Sequence, residues 1–142
     1  VITADQLVCH AVGDYVIQSD WMASNKTKRS VAALVHAVTY AWPFAVITQS
    51  WPALAVIVGT HFVIDRWRLA RFVCWAKNVG FGGWDTPPIP GLIRSTHRLS
   101  WKSCEKTGYP PGVPDFLAVW LLIIADNVMH VLCNGLALKY LP

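Results

Sequence analysis

His10 with Asp14, His61 with Asp65, and Asp126 with His130 form three ionisable pairs, each spaced four apart inside a stretch too apolar to hold charge casually. On an α-helix, residues four apart project from one face, so each pair can offer an imidazole and a carboxylate to one point. His36 stands alone in a fourth apolar stretch. Ionised groups in hydrocarbon are costly unless paired, solvated or bound to metal, which gives an intramembrane carboxylate a functional role by default. Neutral imidazole and carboxylate together suit zinc, manganese or iron, and helix bundles build di-metal centres from these groups. The spacing predicts a divalent metal site drawn from His10, Asp14, His36, His61, Asp65, Asp126 and His130, with zinc the first expectation and manganese or iron the alternatives. Three carboxylates would largely neutralise one or two such ions. Two other readings compete: a metal-free His–Asp network that fixes helix register, and a proton or ion pathway.

The elements that must position these residues are helices. Of 142 residues, 54% are apolar and only 14% charged, a balance found in chains that bury most of their helical surface or lie in a bilayer. The stretches 31–48 and 51–64 contain no Asp, Glu, Lys or Arg, and 116–138 contains only Asp126. These approach the length of about 20 residues that a spanning helix needs. The predicted fold is all-α: one membrane domain, 1–142, an integral bundle of four helices at about 4–22, 30–48, 52–77 and 114–139. A long Gly/Pro/Trp-rich loop, 78–113, separates the third and fourth. At about 1.5 Å per residue, Asp14, His36 and His61 lie roughly 8 Å from the inner edge, so separate helices deliver ionisable groups to one layer.

The excess positive charge, formally +4, is unevenly placed. Lys26, Lys28 and Arg29 fall between the first two helices, and Arg66, Arg68, Arg71, Lys77, Arg94, Arg98, Lys102 and Lys106 between the last two. The positive-inside rule then turns both loops to the cytoplasm and both termini to the other side of a bacterial inner membrane. Anionic lipid headgroups account for this charge, whereas no aromatic-interleaved motif accompanies it, so nucleic acid is not an expected partner. Cys9, Cys74, Cys104 and Cys133 lack metal-finger or disulfide-framework spacing and are expected as free thiols. No signal peptide is expected, because the first apolar stretch has no basic leader and contains His10 and Asp14. His97 has no carboxylate at helical spacing and reads as a surface residue, and Trp84 and Trp101 suggest an ordered, membrane-touching flap.

Three segments carry a family likeness: residues 9–23, with His10, Asp14 and Gln18 at HxxxDxxxQ spacing; residues 61–66, with His61 and Asp65; and residues 121–130, with Asp126, Asn127 and His130 as DNxxH. Together they resemble the small bacterial and bacteriophage membrane proteins grouped under domain of unknown function 3307, which implies a multi-spanning membrane protein. More distantly, the HxxxD repeats are similar to inner-membrane metal-dependent hydrolases and, through them, to zinc-dependent phospholipase C. That likeness implies Asp14, His36, His61, Asp65 and Asp126 as ligands for a metal that activates water against a phosphoester. Two departures stand out: the last pair is reversed, as DxxxH, and no HxxxE is present.

The expected function is a membrane-embedded metal-binding protein, with hydrolysis of a phosphoester or lipid-like substrate as its chemistry and Asp65 or Asp126 as the spare carboxylate for general-base work. The alternatives are an accessory subunit that docks onto a larger membrane complex through the Trp-rich loop, and the proton or ion pathway.

Overall fold

The computed structural model describes residues 2–81 and 100–141. Among them the secondary structure is helical, with an isolated bridge between Pro111 and Val113 and no strand. Thr3 opens α1, Ala4–Ala11, its hydroxyl accepting from the Gln6 amide at 3.2 Å. The predicted continuous helix over 4–22 is divided. After α1 the chain widens into a π-helical segment, Val12–Ile17, becomes extended at Gln18, and restarts as α2, Asp20–Asn25, beneath a Ser19 cap. Two causes are visible, one local and one tertiary. Ser19 offers its side chain to the Met22 amide at 3.3 Å, a bond that competes with helix continuation. Gly13 meets the ring and carbonyl of Tyr40 so closely that an added Cβ would lie 2.5 Å from the ring and 2.9 Å from the oxygen.

Proline and glycine chemistry sets the next boundaries. α3, Ser30–Tyr40, ends ahead of Pro43, and α4, Phe44–Ile47, continues after it. Proline can neither donate its missing N–H nor fit its ring against the preceding turn. α5, Trp51–Trp67, begins with a Ser50 cap and Pro52 in its first turn, where proline is tolerated. It stops at Arg68, which takes the left-handed conformation at φ 51°, so the predicted third helix is α5 followed by a separate α6, Ala70–Phe81. The predicted 78–113 loop begins inside α6 and includes a short α7, Trp101–Cys104, capped by Ser100. Trp84 and His97 lie outside the described residues. α8, Asp115–Tyr140, follows the predicted fourth helix closely.

Among the described residues, two stretches are long and apolar enough to cross a membrane: Ser30–Ile47, mean hydropathy 1.6, and Asp115–Tyr140, mean hydropathy 2.0. The expectation of four spanning helices is reduced accordingly. The division near Gly13 and Ser19 shortens the first segment, and the break at Arg68 leaves α5 with 17 residues, two of them His61 and Asp65.

The chain divides into two compact units, Val1–Arg68 with Asn127–Pro142, and Leu69–Asp126. In the first, α3 and α5 pack together with α1, α2 and the second half of α8. Cys9, Tyr40, Ala41, Phe44, Ile57 and Ala137 make its apolar cluster. The same interior buries Gln6, His10, His36, His61, Asp65, His130 and Asn134. Its outer faces are apolar, with Val16, Val31, Val46, Leu132 and Leu136 exposed. In the second unit Cys74, Tyr109 and Ala118 form the core, covered by Val113, Leu121, Leu122 and Ala125. All four cysteines are free thiols.

Candidate metal centre

The site lies in the first unit and is assembled from four helical segments. The π-helical turn carries Asp14, α3 carries His36, α5 carries His61 and Asp65, and α8 carries His130. π-turns inside helices occur frequently at functional sites, because the extra residue per turn redirects a side chain. Here Asp14 Oδ2 keeps its expected approach to His10 Nδ1, at 3.5 Å. Its Oδ1 reaches across to His36 Nε2 at 3.2 Å and His61 Nε2 at 3.6 Å.

Asp65, one turn beyond His61 on α5, closes the arrangement. Its Oδ2 lies 3.1 Å from His61 Nε2 and 3.3 Å from His36 Nε2, while its Oδ1 lies 3.6 Å from His130 Nε2. The two imidazole nitrogens, His36 Nε2 and His61 Nε2, face each other at 2.9 Å. Bonds of about 2.0–2.2 Å from a tetrahedral ion to N and O ligands place neighbouring ligands about 3.3–3.5 Å apart. The carboxylate–imidazole separations bracket that value. Two triads can each hold an ion, Asp14–His36–His61 and His61–Asp65–His130, the ligand atoms of each lying within 4.8 Å of one another.

Proton counting gives an independent reason to place a cation here. Each Nε2 carries at most one hydrogen, yet each faces the other imidazole and two carboxylate oxygens. The buried Asp14 Oδ1 accordingly receives no well-directed hydrogen bond, and beyond those imidazoles Asp65 Oδ2 is met by the ammonium of Lys26, at 3.0 Å. Buried acceptors of this kind are costly unless a donor or cation answers them.

The rings are held by stacking. His61 lies between Tyr40, 3.7 Å from it centroid to centroid, and His130, at 4.1 Å. Metal-binding imidazoles usually donate their second N–H to an acceptor, but neither His36 Nδ1 nor His61 Nδ1 makes a hydrogen bond. Aromatic contact fixes these two rings instead.

Of the predicted ligands, the structure brings Asp14, His36, His61, Asp65 and His130 together. His10 sits beside them with both nitrogens engaged: Nδ1 is 2.8 Å from Tyr40 Oη, and Nε2 is 2.7 Å from Asn127 Oδ1. Asn134 Nδ2 donates to Tyr40 Oη at 2.6 Å. A consistent assignment runs from Asn134 through the Tyr40 hydroxyl to His10 Nδ1, with His10 Nε2–H donating to Asn127. Asp126 belongs to the second unit and is in neither triad.

One participant, Lys26, escaped sequence reasoning. Lys26 Nζ lies 3.0 Å from Asp65 Oδ2 and 3.4 Å from His36 Nε2. Sequence places it in a basic run between helices, and helical periodicity does not extend across that turn. Tyr40 was visible four residues beyond His36, a spacing that put it on the same face.

The first segment of the chain gives its affiliation. The model of a family described as "Protein of unknown function (DUF3307)" matches residues 2–81, more than half of the chain. The chain belongs to the DUF3307 family. That match contains Asp14, Lys26, His36, Tyr40, His61 and Asp65, whereas His130 and Asn134 lie beyond it. No curated protein and no solved structure matches the chain.

Proposed function

We propose that this DUF3307 protein is a membrane-embedded metal-binding protein whose centre lies among Asp14, His36, His61 and Asp65, with His130 at its edge. The observation that carries the reading is the mutual approach of His36 Nε2 and His61 Nε2 together with the two carboxylate oxygens that each of them faces. Two neutral nitrogens and two anionic oxygens match zinc, with manganese or iron as alternatives, and two carboxylates balance one divalent charge. The bilayer is supported by the apolar stretches of α3–α4 and α8, and by the inversion of polarity in the first unit. Buried imidazoles inside exposed valine and leucine suit a lipid surround, because exposed apolar surface of this extent is costly in water. The basic loops would face the cytoplasm across an inner membrane.

Bound there, a divalent ion would supply a Lewis acid and a water of lowered pKa, the chemistry of phosphoester hydrolysis. Among this chain's own groups, Asp65 would orient the imidazoles of that centre, its Oδ2 facing His61 and its Oδ1 facing His130. A second reading is favoured by Lys26: its ammonium at 3.0 Å from Asp65 would make the cluster a metal-free polar core that supports an accessory subunit of a larger complex.

Metal analysis by mass spectrometry on detergent-purified protein separates these. Wild-type protein is expected to carry zinc, manganese or iron in stoichiometric amount, and the His61→Ala/Asp65→Ala variant to have lost it. Metal-free wild-type protein that also fails to take up added zinc would remove the metal reading in favour of the polar core.

A further inference from the structure

Lys26 crowds the edge that an ion bonded to both Asp65 and His36 would use. Its Nζ is 3.0 Å from Asp65 Oδ2 and 3.4 Å from His36 Nε2, and those two atoms are 3.3 Å apart. An ion bonded to both lies about 2.0–2.2 Å from each. With these separations, ion and ammonium come within about 4 Å of one another even on opposite sides of the oxygen–nitrogen edge. Salt does little to screen charges so placed, because the pair is largely buried.

We propose that Lys26 is a built-in competitor for the metal centre: its ammonium and a divalent ion are alternative occupants of the Asp65–His36 edge, and loading requires the lysine side chain to swing out. This rests on the metal reading above. The geometry gives the lysine an exit that the ligands lack. The Lys26 side chain retains 18% exposure against 3% for Asp65 and 0% for His36. Its backbone need not move, because the corner between α2 and α3 is pinned by Arg66, which donates to the Thr27 carbonyl at 3.0 Å and to Ser30 Oγ at 3.1 Å. A long flexible stem on a fixed backbone is suited to such an exchange.

The consequence is a wild-type affinity held below what the ligands alone would give. Titration calorimetry of zinc into the full chain in detergent, wild type beside Lys26→Met and Lys26→Arg, reads this directly, with His61→Ala as the site control. Lys26→Met is expected to bind zinc about tenfold or more tightly, since a repelling charge has gone. Lys26→Arg, which keeps the charge, should bind no more tightly than wild type. Zinc should also raise the melting temperature of Lys26→Met more than that of wild type, because the ion replaces the cation that the variant lacks. Should the methionine variant fail to fold, Lys26→Gln repeats the comparison with an uncharged donor to Asp65. Equal or weaker zinc binding by the folded neutral variant overturns the competition while leaving the metal centre intact. No binding by any protein overturns both, and binding by the neutral variant alone supports the proposal.

Discussion

The two units of this protein both expose apolar side chains but differ in what they bury. The first hides imidazoles, carboxylates and amides and exposes valine and leucine. The second buries Cys74, Tyr109 and Ala118 and builds an aromatic and cationic layer, with Trp101 stacked on Phe72 at 4.4 Å and Arg71 lying 5.0 and 5.3 Å from those two rings. Asn78 Nδ2 ties α6 to the Gly108 carbonyl at 3.0 Å, where Gly108 takes φ 79° and packs against the backbone of Arg71. A bilayer rewards an apolar exterior and leaves polar groups to satisfy one another inside, whereas cation–aromatic clusters suit the headgroup boundary, where rings and charges both find partners.

Three substitutions can break or sharpen this contrast. The largest effect is expected from Leu132→Arg, at an exposed position of α8 in the first unit. Near the middle of a spanning helix, arginine costs about 2.5–3.5 kcal/mol, so alkaline extraction of membranes should release the variant far more readily than wild type. In a water-facing helix the same change would leave the distribution unaltered, and that result would remove the inverted polarity as an argument for lipid.

Next comes Tyr40→Phe, which keeps the ring against His61 but deletes the hydroxyl that accepts from Asn134 and meets His10. Stranding two buried polar partners should lower stability by about 1–3 kcal/mol, read as a shifted denaturation midpoint in detergent. Tyr15→Phe serves as its control, because the Tyr15 hydroxyl bonds Asn127 Oδ1 at an exposed position. Equal losses in the two would mean that the interior network carries no special weight.

The smallest effect belongs to the second unit. Trp101→Ala removes the Phe72 stack and the edge contact with Trp75 at 5.7 Å. Such pairs contribute about 0.5–1.5 kcal/mol beyond the area they bury, and the loss should leave metal content unchanged. Lost metal in this variant would show that the two units do not behave independently.

Much of this protein was legible in one dimension because helical periodicity is local. The i, i+4 spacing put His61 and Asp65 on one face of α5, and Pro114 and Asp115 marked the start of α8. Pro43, which a helix interior tolerates poorly, falls where the predicted 30–48 helix divides into α3 and α4. The same reasoning joined segments that the structure separates, because the contact of Gly13 with Tyr40 and the left-handed turn at Arg68 depend on neighbours distant in sequence or on a single backbone torsion.

Sequence alone therefore determined the helical class, the apolar stretches and a short set of residues able to bind metal. Tertiary structure decided which of them meet. It turned Asp14 toward His36 and His61, occupied both nitrogens of His10, kept Asp126 in the second unit and brought Lys26 onto the Asp65 carboxylate. The reason is geometric: periodicity fixes the face of a helix on which a side chain lies, but ligand contacts require two helices to align to within about an ångström.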